Sequence, residues 1–234
     1  MPEIICKYDV KVDWRNRWQA ANQFTNWNWV MFMPKEDQEM VAKLKGLTWE
    51  EAEKIMTPYL EKKYQDNKET MDDAVIKMNE YLNEQKEELF KAMEKLTRHS
   101  IEYKMFTIYL TTLNRCPYNW HDGIIWMVDS KSPEYRSKMW RWIFAHELLH
   151  MQTHKYYENA EPMSKLSPMQ FNDLKESLTF LLNHEFEWID MREDKWYPQH
   201  QELRRVLEEY RVNSDKNFDE LIAFGCDYML KNNL

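Results

Sequence analysis

Apolar residues recur at three- and four-residue spacing along most of the chain, the period of an amphipathic helix. Met71, Val75, Met78, Leu82, Leu89, Met93 and Leu96 keep that spacing except for a polar turn at Gln85 and Lys86. One long helix is therefore predicted from Thr70, spaced from Asp73 as a cap, to about residue 98. Thr48 followed by Glu51 has capping-box spacing and predicts a helix running toward Tyr59. Ser167-Pro168 opens another, carried by Phe171, Leu174, Leu178, Leu181 and Leu182. Leu203, Val206, Leu207 and Tyr210, then Leu221, Ile222 and Phe224, extend the helical texture to the C-terminal part. Between Ile101 and Leu113 the pattern changes to alternation rich in Tyr, Ile and Thr, which predicts a strand. A loop with Pro117 and Gly123 follows, then the apolar run Ile124–Val128, short and β-branched enough for a second strand. Ser132-Pro133-Glu134 supplies a cap, a first-turn proline and an acid, predicting a helix over residues 134–158. Residues 1–47 carry no clear period, and Trp27, Trp29, Val30 and Phe32 read as a strand or a buried loop. The expectation is a helix-rich α+β fold with a small sheet. A mostly helical part over 1–100 and a second part over 101–234 would form one continuous globular unit.

Composition narrows the chemistry. The chain's 234 residues carry 11 Trp, 13 Tyr, 10 Phe and 16 Met, so aromatics and methionine must fill the core. A net charge of −8 without a dense basic cluster would repel phosphate backbones, so no nucleic-acid partner is expected. Gly46, Gly123 and Gly225 are far apart, which excludes Gly-rich phosphate loops and dinucleotide fingerprints. Cys6, Cys116 and Cys226 form no CxxC pair and are expected to be free thiols. No apolar run approaches the roughly 20 residues that span a bilayer, and the first residues lack a secretion signal. The expectation is a soluble cytoplasmic protein with no membrane partner.

The strongest chemical signal is His146-Glu147-Leu148-Leu149-His150. Four-residue spacing on a helix puts both imidazoles on one face, about 6 Å apart along the axis, suiting two of zinc's tetrahedral positions. Glu147 lies about 100° from His146 and about 60° from His150, where it can take a proton from metal-bound water without ligating. Seven His and 26 Glu in this length predict about 0.02 chance matches. Trp140, Trp142, Ile143, Phe144, Leu148 and Leu149 make the helix apolar around most of its circumference, the mark of a buried helix. The competing account, that these are hydrogen-bonded core groups, must still find partners for all three.

A third ligand is needed. His154 continues the spacing but lies about 12 Å along the axis from His146, too far for one ion, and Glu158 fails in the same way. Thr153 and Tyr156 occupy the positions where an extended metzincin motif needs Gly and His, which rejects that class. On the helix after Pro168, Asn172, Glu176, Asn183 and Glu187 lie roughly opposite the apolar stripe. That row reads either as a solvated face or, with Glu176 as third ligand, as the other wall of a metal site. Glu187 and Asp173 are minor alternatives, and Glu185 projects toward the leucine side.

With these residues the chain resembles the gluzincin branch of the zincin metallopeptidases over residues 120–190. The resemblance implies a zincin-like fold with an active-site helix. It makes His146, His150 and Glu176 ligands of Zn2+, with Glu147 as general base for hydrolysis of a peptide or protein. It also makes Ile124–Val128 look like the edge strand that aligns an extended substrate. A carbonyl-stabilising group is expected among Tyr157, His184, Arg192, His200 and Tyr210. Phe180 stands where gluzincins often carry an acid that orients a histidine. Alternatives are a zincin-like amidase of a small substrate, or a non-catalytic interaction protein that keeps the metal structurally.

Overall fold

The computed structural model describes residues 1–22, 34–129, 133–189, 198–212 and 217–232. Trp27, Trp29, Val30, Phe32, the cap at Ser132 and Arg192 lie outside the described residues. The fold is helix-rich α+β with one small mixed sheet. Two units alternate along the sequence, one built from Glu3–Glu84 and Met105–Trp140, the other from Met1–Pro2, Gln85–Lys104 and Arg141–Leu234.

The first unit holds the sheet, in the order β1-β2-β4-β3. Its strands are β1 (Glu3–Lys7), β2 (Met105–Thr111), β3 (Tyr118–Asn119) and β4 (Ile124–Val128). β1, β2 and β4 are parallel, with Ile4 opposite Phe106 and Ile108 opposite Ile125, while β3 is antiparallel to β4. β1 falls in the stretch that showed no period. β2 is shorter than the strand predicted over 101–113. Its C-terminal end is set where the Thr112 N–H leaves the ladder and donates to Asp13 Oδ1 at 3.2 Å. β4 has the predicted bounds but is not the terminal strand. Its Ile124 and Ile125 pair with β3, and Trp126 N–H donates to Pro117 O.

Parallel pairing needs a crossover connection. In this unit the chain between β1 and β2 forms α1 (Val10–Asn22), α2 (Lys35–Leu44), α3 (Trp49–Asp66) and α4 (Lys68–Glu84). The capping box predicted at Thr48 and Glu51 is present, and α3 runs past Tyr59 to Asp66. Trp14, Leu44, Ala52, Met56 and Leu60 form a core in which the Trp14 and Trp49 rings lie 4.2 Å apart. Asp13, Arg17 and Asp37 are buried together: Arg17 Nη1 is 3.0 Å from Asp13 Oδ1 and Nη2 is 3.1 Å from Asp37 Oδ1. α4 covers the outer side of β1 with side-chain amides. Asn79 accepts from Cys6 N–H and donates to Cys6 O, each at 2.9 Å, and Asn83 donates to Ile4 O at 3.0 Å.

The predicted long helix from Thr70 to residue 98 is two helices, α4 and α5 (Lys86–Thr97), broken at Gln85, whose φ of −117° leaves the helical range. The break coincides with the polar turn that interrupts the apolar stripe. α5 belongs to the second unit, as does α6 (Pro133–Tyr157) from Arg141 onward. Every residue from Glu147 to Thr153 on α6 is buried, as the all-round apolar pattern requires. α7 (Pro168–Ser177) starts at the predicted Ser167 cap, reciprocated by Gln170. The backbone then tightens to a 3₁₀ turn over Leu178–Leu181 before α8 (Leu182–Glu185). α9 (Gln201–Val212) and α10 (Phe218–Asn232) complete the unit. Gly225 lets α10 lie close to its neighbours: a Cβ there would fall 2.5 Å from Leu174 Cδ1 on α7 and 3.3 Å from Leu207 Cδ2 on α9. Among the described residues no helix is long and apolar enough to cross a membrane.

Candidate metal centre

α6 and α7 of the second unit bring His146, His150 and Glu176 together. One donor atom from each lies within 4.8 Å of the others, a single such group among the described residues. His146 Nε2 and His150 Nε2 are 2.9 Å apart, their rings tilted by 82°. Glu176 Oε2 is 3.3 Å from His150 Nε2 and 3.8 Å from His146 Nε2. A tetrahedral ion with bonds near 2.1 Å sets its donors roughly 3.4 Å apart, and the three separations bracket that value. Glu176 Oε2 is buried, with the two imidazole nitrogens as its near polar neighbours. Two imidazole nitrogens and one carboxylate oxygen are a borderline-soft donor set that suits Zn2+.

The protonation states match. Burial pushes the His150 imidazolium down to about 3, although the Glu176 charge pulls the other way. For Glu176 burial opposes ionisation, but its coupling to His150 and the ammonium of Lys175 outweigh it and hold the carboxyl well below the usual range. Both groups are thus in the deprotonated form a metal ion requires at neutral pH. Glu147, between the histidines on α6, is buried at 7% exposure.

The other candidates go elsewhere. His154 Nδ1 is 3.0 Å from Glu158 Oε2, and its ring lies against Phe171, so neither residue joins the cluster. Glu185 pairs with Arg211 at 2.6 Å, and Glu187 is exposed in a 3₁₀ turn. Tyr157 donates to Asp219 and lies 2.8 Å from His99 Nε2. His184 is half-exposed beside Glu208, and Tyr210 stacks flat on Phe224 at 3.8 Å. His200 is buried with Nε2 3.2 Å from Asp173 Oδ1, one helical turn before Glu176 on α7.

Lys175 is the site residue the apolar and polar pattern passed over. It is 5% exposed, and its Nζ lies 3.3 Å from Glu176 Oε1. A signal exists: at about 100° per residue Lys175 stands only about 40° from Phe171, inside the apolar stripe rather than opposite it. A cation on a buried face asks for a charged partner.

Comparison with protein-family models, with curated proteins and with solved structures returned no match.

Proposed function

We propose that this chain is a zinc-dependent hydrolase of the gluzincin kind, with a zincin-like catalytic part, acting on peptide bonds. The observation that carries the reading is the convergence of His146 Nε2, His150 Nε2 and Glu176 Oε2 from two helices of one unit. Zinc, when held by these three, supplies Lewis-acid polarisation of a carbonyl and lowers the pKa of water in its open position. Glu147 accepts the proton from the attacking water and delivers it to the leaving amine. Burial of Glu147 keeps bulk water from competing for that proton. Cys6, Cys116 and Cys226, none of them in a disulfide, suit a reducing, cytoplasmic setting.

Metal analysis combined with hydrolysis of a peptide library tests the proposal. Wild type and Glu147→Gln should each bind one equivalent of zinc, and only wild type should cleave. His146→Ala should lose the metal. Stoichiometric zinc without cleavage of any peptide would favour the structural-metal alternative. Cleavage that survives Glu147→Gln would remove the general-base role.

A further inference from the structure

The two oxygens of Glu176 do different things. Oε2 faces both imidazoles, at 3.3 Å from His150 Nε2 and 3.8 Å from His146 Nε2. Oε1 lies 3.3 Å from the ammonium of Lys175. Neighbouring positions on a helix point about 100° apart, so consecutive residues do not normally meet. Here the lysine turns back from the apolar face of α7 to reach the carboxylate. An ammonium whose side chain is 6% exposed carries a large desolvation cost, and its carboxylate partner offsets it.

We propose that Lys175 is a positioning residue that holds Glu176 as a one-oxygen metal ligand through Oε2 by occupying Oε1. This rests on the metal-site reading above. A carboxylate free at both oxygens can close on an ion with both, and the second oxygen would take the position that a catalytic zinc site leaves open for water. With Oε1 tied to Lys175, the protein contributes three donors and the fourth position stays available. The lysine also fixes the rotation of the carboxylate, as partners behind metal ligands commonly do. Lysine serves here as a compact point charge, so an arginine in its place keeps the charge and alters the geometry.

The test uses the full chain with zinc alone, and cobalt(II) as a spectroscopic stand-in. In a crystal structure of the zinc-loaded wild type, Glu176 Oε2 should lie at bonding distance and Oε1 should remain on Lys175. Lys175→Met removes the cation and keeps the length of the side chain. That variant should still bind one equivalent of metal but take both oxygens of Glu176. Its cobalt form should lose the intense visible absorption of a four-coordinate ion, and Lys175→Arg should retain it. Zinc-loaded wild type with both oxygens bound overturns the proposal, and needs no variant to fold. So does Lys175→Met with an unchanged cobalt spectrum. Wild type that binds no stoichiometric metal overturns the metal-site reading itself, and this proposal with it.

Discussion

At the scale of single residues, the lowered imidazolium pKa of His150 is a statement about stability. The unfolded chain offers an imidazole of ordinary pKa near 6.5, whereas the folded chain holds it at about 3. Below about 6.5 the unfolded state therefore binds the additional proton, and the metal-free fold loses stability as pH falls toward 3. Integrated between pH 7 and pH 5, that loss is about 2 kcal/mol. Urea midpoints of the metal-free protein at the two pH values measure it, and His150→Asn should flatten the dependence. If wild type and variant lose the same amount, His150 is not held neutral by the fold. The histidine pair was legible in the sequence because the chemistry needs those residue types at fixed helical spacing. Glu176 was legible as one of several acids on a face, with geometry deciding among them. Lys175 was overlooked because a lysine is ordinarily assigned to solvent, and its cation becomes informative only when its angular position is compared with the stripe.

At the scale of elements, the helix caps at Thr48 and Ser167 and the bounds of β4 could be read directly, since each is fixed by residues within a few positions. β1 could not, because five residues with Ile4 and Cys6 turned inward have too short a period to stand out, and their partner β2 lies about 100 positions away. The end of α7 was equally illegible: nothing local in Leu178–Leu181 requires a tighter turn. Gly225 illustrates how one element's composition sets another's place. Its missing Cβ gives Leu174 room, two residues before Glu176. Gly225→Ala should therefore cost about 1–3 kcal/mol through overpacking, despite alanine's better helix propensity. Thermal melts read that cost, and on the proposed metal site chelator competition should report weakened zinc binding because α7, which carries Glu176, is displaced. A stabilised variant would mean that Leu174 yields without strain.

At the scale of the whole molecule, the chain passes back and forth between its two units, so neither is a contiguous segment. The sheet depends on this: β1 comes from the first residues and pairs with a strand beginning at Met105. A fragment of residues 101–234 would contain the HELLH motif yet leave β2 with an unpaired edge, together with Phe106 and Ile108 that are fully buried in the intact chain. Expressed alone, it should lack near-UV circular dichroism and a cooperative urea transition. A sharp two-state transition would show that residues 1–100 are dispensable for folding. The sheet also has a direction of growth. Asn79 and Asn83 already engage the outward Cys6 N–H, Cys6 O and Ile4 O, so that margin has less to offer an incoming chain. The opposite margin ends in a strand of two residues. Among the described residues, addition of a further strand is therefore hindered at the β1 margin, where side-chain amides already stand in for a neighbouring backbone.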